Sequence, residues 1–77
     1  MLLLVLLDMK GNIVRYKYYP EGHEEFGIIA LNMNTGDVKL EAAAENYDSS
    51  YLGHAVHRID EYYKKKQYPE KDMVAWF

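Results

Sequence analysis

Ser49-Ser50-Tyr51-Leu52-Gly53-His54-Ala55-Val56-His57-Arg58-Ile59-Asp60-Glu61-Tyr62-Tyr63-Lys64-Lys65-Lys66 is the one long stretch of this chain with helical periodicity. At about 100° per residue, Leu52, Ala55, Val56, Ile59, Tyr62 and Tyr63 fall on one side of a helix. His54, His57, Arg58 and Glu61 fall on the other. One stripe must therefore be buried, and the remainder of the chain reads as strands and turns, so a small sheet is what the stripe packs against. Asp48 or a following serine suits the N-cap, and Lys64 to Lys66 complement the negative end of the helix dipole. Gly53 costs about 1 kcal/mol relative to alanine inside a helix, and close packing on the sheet is the reason expected for it.

Upstream of the helix the strands are read from alternation. Ile13 to Tyr19 sets Val14, Tyr16 and Tyr18 on one face and Ile13, Arg15, Lys17 and Tyr19 on the other. Phe26 to Leu31 is apolar on both faces, which places it inside a sheet, and Gly27 within it marks a bulge or a close backbone approach. Val38, Leu40, Ala42 and Ala44 alternate with Lys39, Glu41, Ala43 and Glu45. That period of two predicts a strand, although Glu41 to Glu45 alone favours helix. Turns separate these runs at Asp8 to Asn12, with Asp8 opening the turn, at Pro20 to Glu24, and at Asn32 to Asp37.

The two ends complete the sheet. Met1 to Leu7 (MLLLVLL) is too short to span a bilayer, which takes about 20 apolar residues. It also lacks the basic flank and cleavage site of a signal peptide. It reads as a buried strand, central in the sheet or at a subunit contact. A start at Met9 is the alternative, making residues 1–8 an upstream extension. After Pro69 ends the helical region, Asp72 to Phe77 (DMVAWF) is too apolar for a free tail and reads as a last strand with Trp76 on the core. The fold class expected is α+β: a small antiparallel sheet of four to five strands, order β-β-β-β-α-β, with one helix packed on one face. Residues 1–77 form a single domain.

Composition narrows the function. There is no cysteine among the 77 residues, which excludes disulfides and thiolate metal sites and suits the cytoplasm. The formal charge of −3 argues against general nucleic-acid binding. Half the residues are apolar, and eight of the aromatics are tyrosines, which suit half-buried sheet faces and interfaces.

Four groups of residues could carry chemistry. His54, His57 and Glu61 share one helical stripe at metal-ligand spacing, but the stripe points away from the sheet, and a solvated or partner-binding face is the reading preferred. Arg15, Tyr16, Lys17 and Tyr18 interleave cations with rings, as single-stranded nucleic-acid binders do. Their alternation puts the rings on one face and the cations on the other, so Tyr16 and Tyr18 are expected in the core. His23 among Glu21, Glu24 and Glu25 would need a cleft to act as an acid–base pair. Lys64 to Lys66 read as a solubilising helix end. No glycine-rich phosphate loop and no nucleophile elbow occurs, so no catalytic residue, cofactor or metal is assigned.

One helix cannot cover both faces of a sheet whose strands are apolar on both sides. The uncovered face is expected to bind something, most simply a second copy of the chain. The function expected is a non-catalytic protein-interaction or adaptor module, homodimeric and cytoplasmic. The alternative is a single-stranded nucleic-acid binder built on the tyrosine strand.

Overall fold

The computed structural model describes residues 1–76. Its strands are β1 (Leu2–Lys10), β2 (Ile13–Pro20), β3 (Gly27–Asn32), β4 (Val38–Ala42) and β5 (Lys71–Val74), with one helix, α1 (Ser49–Lys65), between β4 and β5. The sheet has five strands in the order β4-β3-β2-β1-β5, all neighbours antiparallel. This is the α+β architecture expected. The first four strands form a meander. The helix then carries the chain across the sheet to the opposite edge, where β5 pairs with β1. The apolar first segment is thus flanked on both sides, which resolves the hazard of so apolar a strand standing at an edge.

The helix forms where its periodicity places it. Asp48 is the N-cap, and its carboxylate accepts a hydrogen bond from the Ser50 N–H at 2.8 Å. Lys66 closes the helix in the left-handed conformation, with its N–H turned back to the carbonyls of Tyr62 and Tyr63. Ala55, Ile59 and Tyr62 are buried, with Leu52, Val56 and Tyr63 packed at the margin of the core. They meet Leu2 and Leu4 of β1, Val14, Tyr16 and Tyr18 of β2, Ile29 and Leu31 of β3, and Val74 of β5. Burying each of these large side chains stabilises by about 1.5–3 kcal/mol.

Several polar groups at the margin of the core are paired, while the buried Tyr68 hydroxyl has no partner among the described residues. The Tyr16 hydroxyl donates to the Pro69 carbonyl at 2.7 Å. The Tyr18 hydroxyl accepts from the Ala44 N–H at 3.0 Å. Asp72 on β5 accepts from the Tyr62 hydroxyl at 2.5 Å and from Arg58 at 3.1 Å, tying the helix to the last strand. Burial pushes the Tyr16 and Tyr62 phenols above their ordinary range, and at Tyr62 the hydrogen bond to Asp72 adds to it.

Several local expectations are corrected. Asp8 does not open a turn. A bulge between Leu6 and Asp8 keeps it in β1, opposite Arg15, and the turn tightens to Gly11 and Asn12, with Gly11 at φ 58°. β4 stops at Ala42, and Ala44 turns inward to Tyr18. Gly53 is exposed, and a Cβ there would meet nothing within 4 Å, so close packing is not its reason. Gly27 does mark a close approach. A Cβ there would lie 2.2 Å from the Tyr18 ring and 2.6 Å from the Ala42 carbonyl oxygen. Trp76 packs at the core margin as expected, and Phe77 lies outside the described residues.

Candidate interaction surface

The helix lies over β1, β2 and β5 and leaves the opposite face of the sheet open. The register assembles that face row by row. Tyr19, Leu3 and Met73 lie side by side across β2, β1 and β5. Ile28, Lys17, Val5 and Lys71 form the next row. Phe26, just before β3, sets its ring 5.3 Å from that of Tyr19, and the Lys17 ammonium sits 4.7 Å over the Phe26 ring. Phe26 is 40% exposed and Met73 52%. One half of the open face is therefore mainly apolar, crossed by Lys17 and Lys71. The hollow beside Phe26 is lined by Glu24, Glu25 and Glu45, which give that half an acidic rim.

The other half is charged, and its charges gather around Arg15, with Lys39 at the edge of the same row. Arg15 contacts Asp8 through two guanidinium nitrogens and reaches Glu41 at 3.2 Å. Asp8 is held below its ordinary range by the hydrogen bond from Arg15, and Arg15 is raised in turn by Asp8 and then Glu41. Arg15 and Lys17 thus share the open face, while Tyr16 and Tyr18 lie buried beneath the helix. The structure separates the rings from the cations, as alternation requires, and a base could not reach either ring without displacing the helix.

The helical stripe divides. His57 is exposed and lies 3.6 Å from Glu61, which also sits 3.8 Å from Arg58. His54 leaves the set, because its imidazole stacks on Trp76 at 3.9 Å with the planes 17° apart. Tyr51, Tyr47 and His23 continue that aromatic row, and His23 Nδ1 lies 2.7 Å from the Tyr47 hydroxyl. His23 is thereby placed against a ring, not within an acid–base pair. Among the described residues no three histidine or carboxylate side chains gather closely enough to hold a metal ion. Among the same residues no helix is long and apolar enough to cross a membrane.

Sequence reasoning did not find the β4 edge. Val38 and Leu40 pair with Leu31 and Ile29 on the helix side of the sheet, yet they are 37% and 41% exposed because the helix stops short of this edge. Alternation in Val38 to Ala42 identifies a strand. It carries no signal for how far across the sheet the helix will reach. Comparison with family models, with curated proteins and with solved structures found no match to this chain.

Proposed function

We propose that this chain is a non-catalytic protein-interaction module, homodimeric and cytoplasmic, that docks a protein partner on the open face of its sheet. The observation that carries this reading is the unpartnered apolar half-face of Leu3, Val5, Tyr19, Phe26, Ile28 and Met73. Large exposed apolar patches of this kind mark interaction surfaces. The acidic rim of Glu24, Glu25 and Glu45 selects the partner's chemistry: an apolar segment flanked by lysine or arginine. The charged clusters are occupied with one another, Arg15 with Asp8 and Glu41, and Asp72 with Arg58 and Tyr62, which suits a scaffold better than a catalytic centre. The cysteine-free composition suits a reducing compartment.

The test is capture from the native host's lysate on tagged protein, with nuclease present, comparing wild type with Phe26→Asp and Met73→Glu. A specific protein should be retained by the wild type and lost from both variants, each checked for an intact fold by circular dichroism. Equal retention by the variants, or bound material that disappears with nuclease, contradicts the reading.

A further inference from the structure

β4 is the free edge of the sheet, and its backbone is set up to receive another strand. The Asn32 N–H donates to the Asp37 carbonyl at 2.8 Å, so Asp37 faces β3. Two residues on, Lys39 lies opposite Ala30 and faces β3 as well. Antiparallel ladders alternate, so the N–H and C=O of Val38 and Leu40 point away from the sheet. Unpaired edge groups of this kind are a template for pairing with a further chain.

The charges along the edge also alternate: Asp37, Lys39, Glu41. A second copy laid antiparallel on β4, with the twofold axis through Leu40, sets Lys39 of each copy opposite Glu41 of the other. It sets Leu40 opposite Leu40 with both backbones facing, as a hydrogen-bonded pair requires. The hydrogen-bonded contact is centred on Leu40, because beyond the bulge Ala42 faces β3 opposite Ile28. An axis through Lys39 would instead set Lys39 against Lys39 and Asp37 against Glu41. An axis through Val38 also sets Lys39 opposite Asp37, but it sets Leu40 against Gly36, in the turn beyond the strand, whose N–H is already bonded to the Asn32 carbonyl. The Leu40 register is the one that sets opposite charges against each other while keeping the contact within β4.

We propose that the chain dimerises by antiparallel β4–β4 pairing centred on Leu40, with reciprocal Lys39–Glu41 pairs in which each Glu41 is shared with Arg15 of its own copy. The result is one sheet of ten strands, five from each copy. Both helices lie on one side of it and both open faces on the other. This deepens the interaction-module reading and rests on it: the partner meets two apolar half-faces on one symmetric surface. A lysine and a bulge on an edge strand ordinarily discourage pairing. Here the bulge falls at Glu41, between the residues paired with Ile29 and Ile28, and shortens the edge. Lys39, flanked by acids two residues to either side, repels a cationic strand and accepts its own copy. The contact is short and partly ionic, so it weakens with dilution and with salt.

The test is the solution mass by light scattering and sedimentation through the micromolar range. Wild type should approach twice the 9.0 kDa chain mass. Lys39→Glu and Glu41→Lys should each weaken the dimer by about tenfold or more, since two attractive pairs become repulsive. The combined swap should restore it. Leu40→Pro removes an outward N–H without touching the β3 ladder and should abolish it. Circular dichroism verifies that each variant is folded. A wild type that stays monomeric, or a dimer indifferent to all four variants, overturns the proposal. A dimer that survives these changes but is lost in Phe26→Asp overturns β4 pairing and leaves the open face as the contact between copies. A monomer that still captures its partner through Phe26 and Met73 overturns β4 pairing alone.

Discussion

The same substitution at two glycines should have opposite effects. At Gly27 an added Cβ would lie 2.2 Å and 2.5 Å from atoms of the Tyr18 ring and 2.6 Å from the Ala42 carbonyl oxygen. The ring has no free path of retreat: it is buried, and its hydroxyl is fixed on the Ala44 N–H at 3.0 Å. The carbonyl belongs to the backbone of β4. Overpacking of this kind costs about 1–3 kcal/mol, and losing the Tyr18–Ala44 hydrogen bond adds about 1 kcal/mol. Gly27→Ala should therefore destabilise by about 3 kcal/mol. At Gly53 the site is open and helical, so Gly53→Ala should stabilise by about 0.5–1 kcal/mol through helix propensity and a less flexible unfolded chain. For a chain of this length 1 kcal/mol moves Tm by about 6 °C, so the two variants should straddle the wild type by roughly 20 °C. Thermal and urea unfolding followed by circular dichroism at one fixed protein concentration reads both, since association makes Tm depend on concentration. A Gly27→Ala protein within about 0.5 kcal/mol of wild type would refute the close approach of β3 to Tyr18. A destabilised Gly53→Ala would refute the open helix surface.

Other outcomes follow from the core and its rim. Tyr16 and Tyr62 have phenols raised above the ordinary 10.0, mainly by burial. Above pH 10 the folded state therefore binds more protons than the unfolded chain, and stability present below pH 10 is lost as pH rises further. Absorbance titration should show these two phenols ionising only as the far-ultraviolet dichroism collapses; full titration with the fold intact would contradict their burial. Asp72→Ala removes the acceptor of the Tyr62 hydroxyl and the partner of Arg58, and should cost about 2 kcal/mol, with Asp72→Asn costing less; urea midpoints decide. A chain beginning at Met9 loses Leu2 and Leu4 from the core and both partners' pairing with β1. It should give the dichroism and amide dispersion of an unfolded chain, and a cooperative transition in that chain would contradict the central role of β1.

The helix was legible because its stripe, its N-cap Asp48 and its lysine-rich end all fall in one window. The sheet count was legible because turns and alternation are local signals. Tyr16 and Tyr18 could be assigned to the core, apart from Arg15 and Lys17, by alternation alone. What escaped is long-range or depends on a single inserted residue. The bulge at Leu7 moves Asp8 from a turn into an ion pair with Arg15, and nothing in the local sequence announces it. The docking of β5 beside β1 is fixed by Asp72 meeting Arg58 and Tyr62, residues ten or more positions away. Periodicity sets His54 in a solvent stripe because its partner, Trp76, comes from beyond the last strand. The exposed Val38 and Leu40 follow from where the helix ends in space, which periodicity does not specify.

The proposed interaction role uses the parts of the sheet that the helix leaves uncovered, beginning with the β4 edge. Residue-resolved amide hydrogen exchange across a dilution series tests this most directly. The Leu40 amide points away from β3, so the β3–β4 ladder does not bond it. Its protection should rise with protein concentration and vanish in Lys39→Glu, while the Ile29 and Leu31 amides stay protected in both. A Leu40 amide that exchanges freely at every concentration would contradict the account.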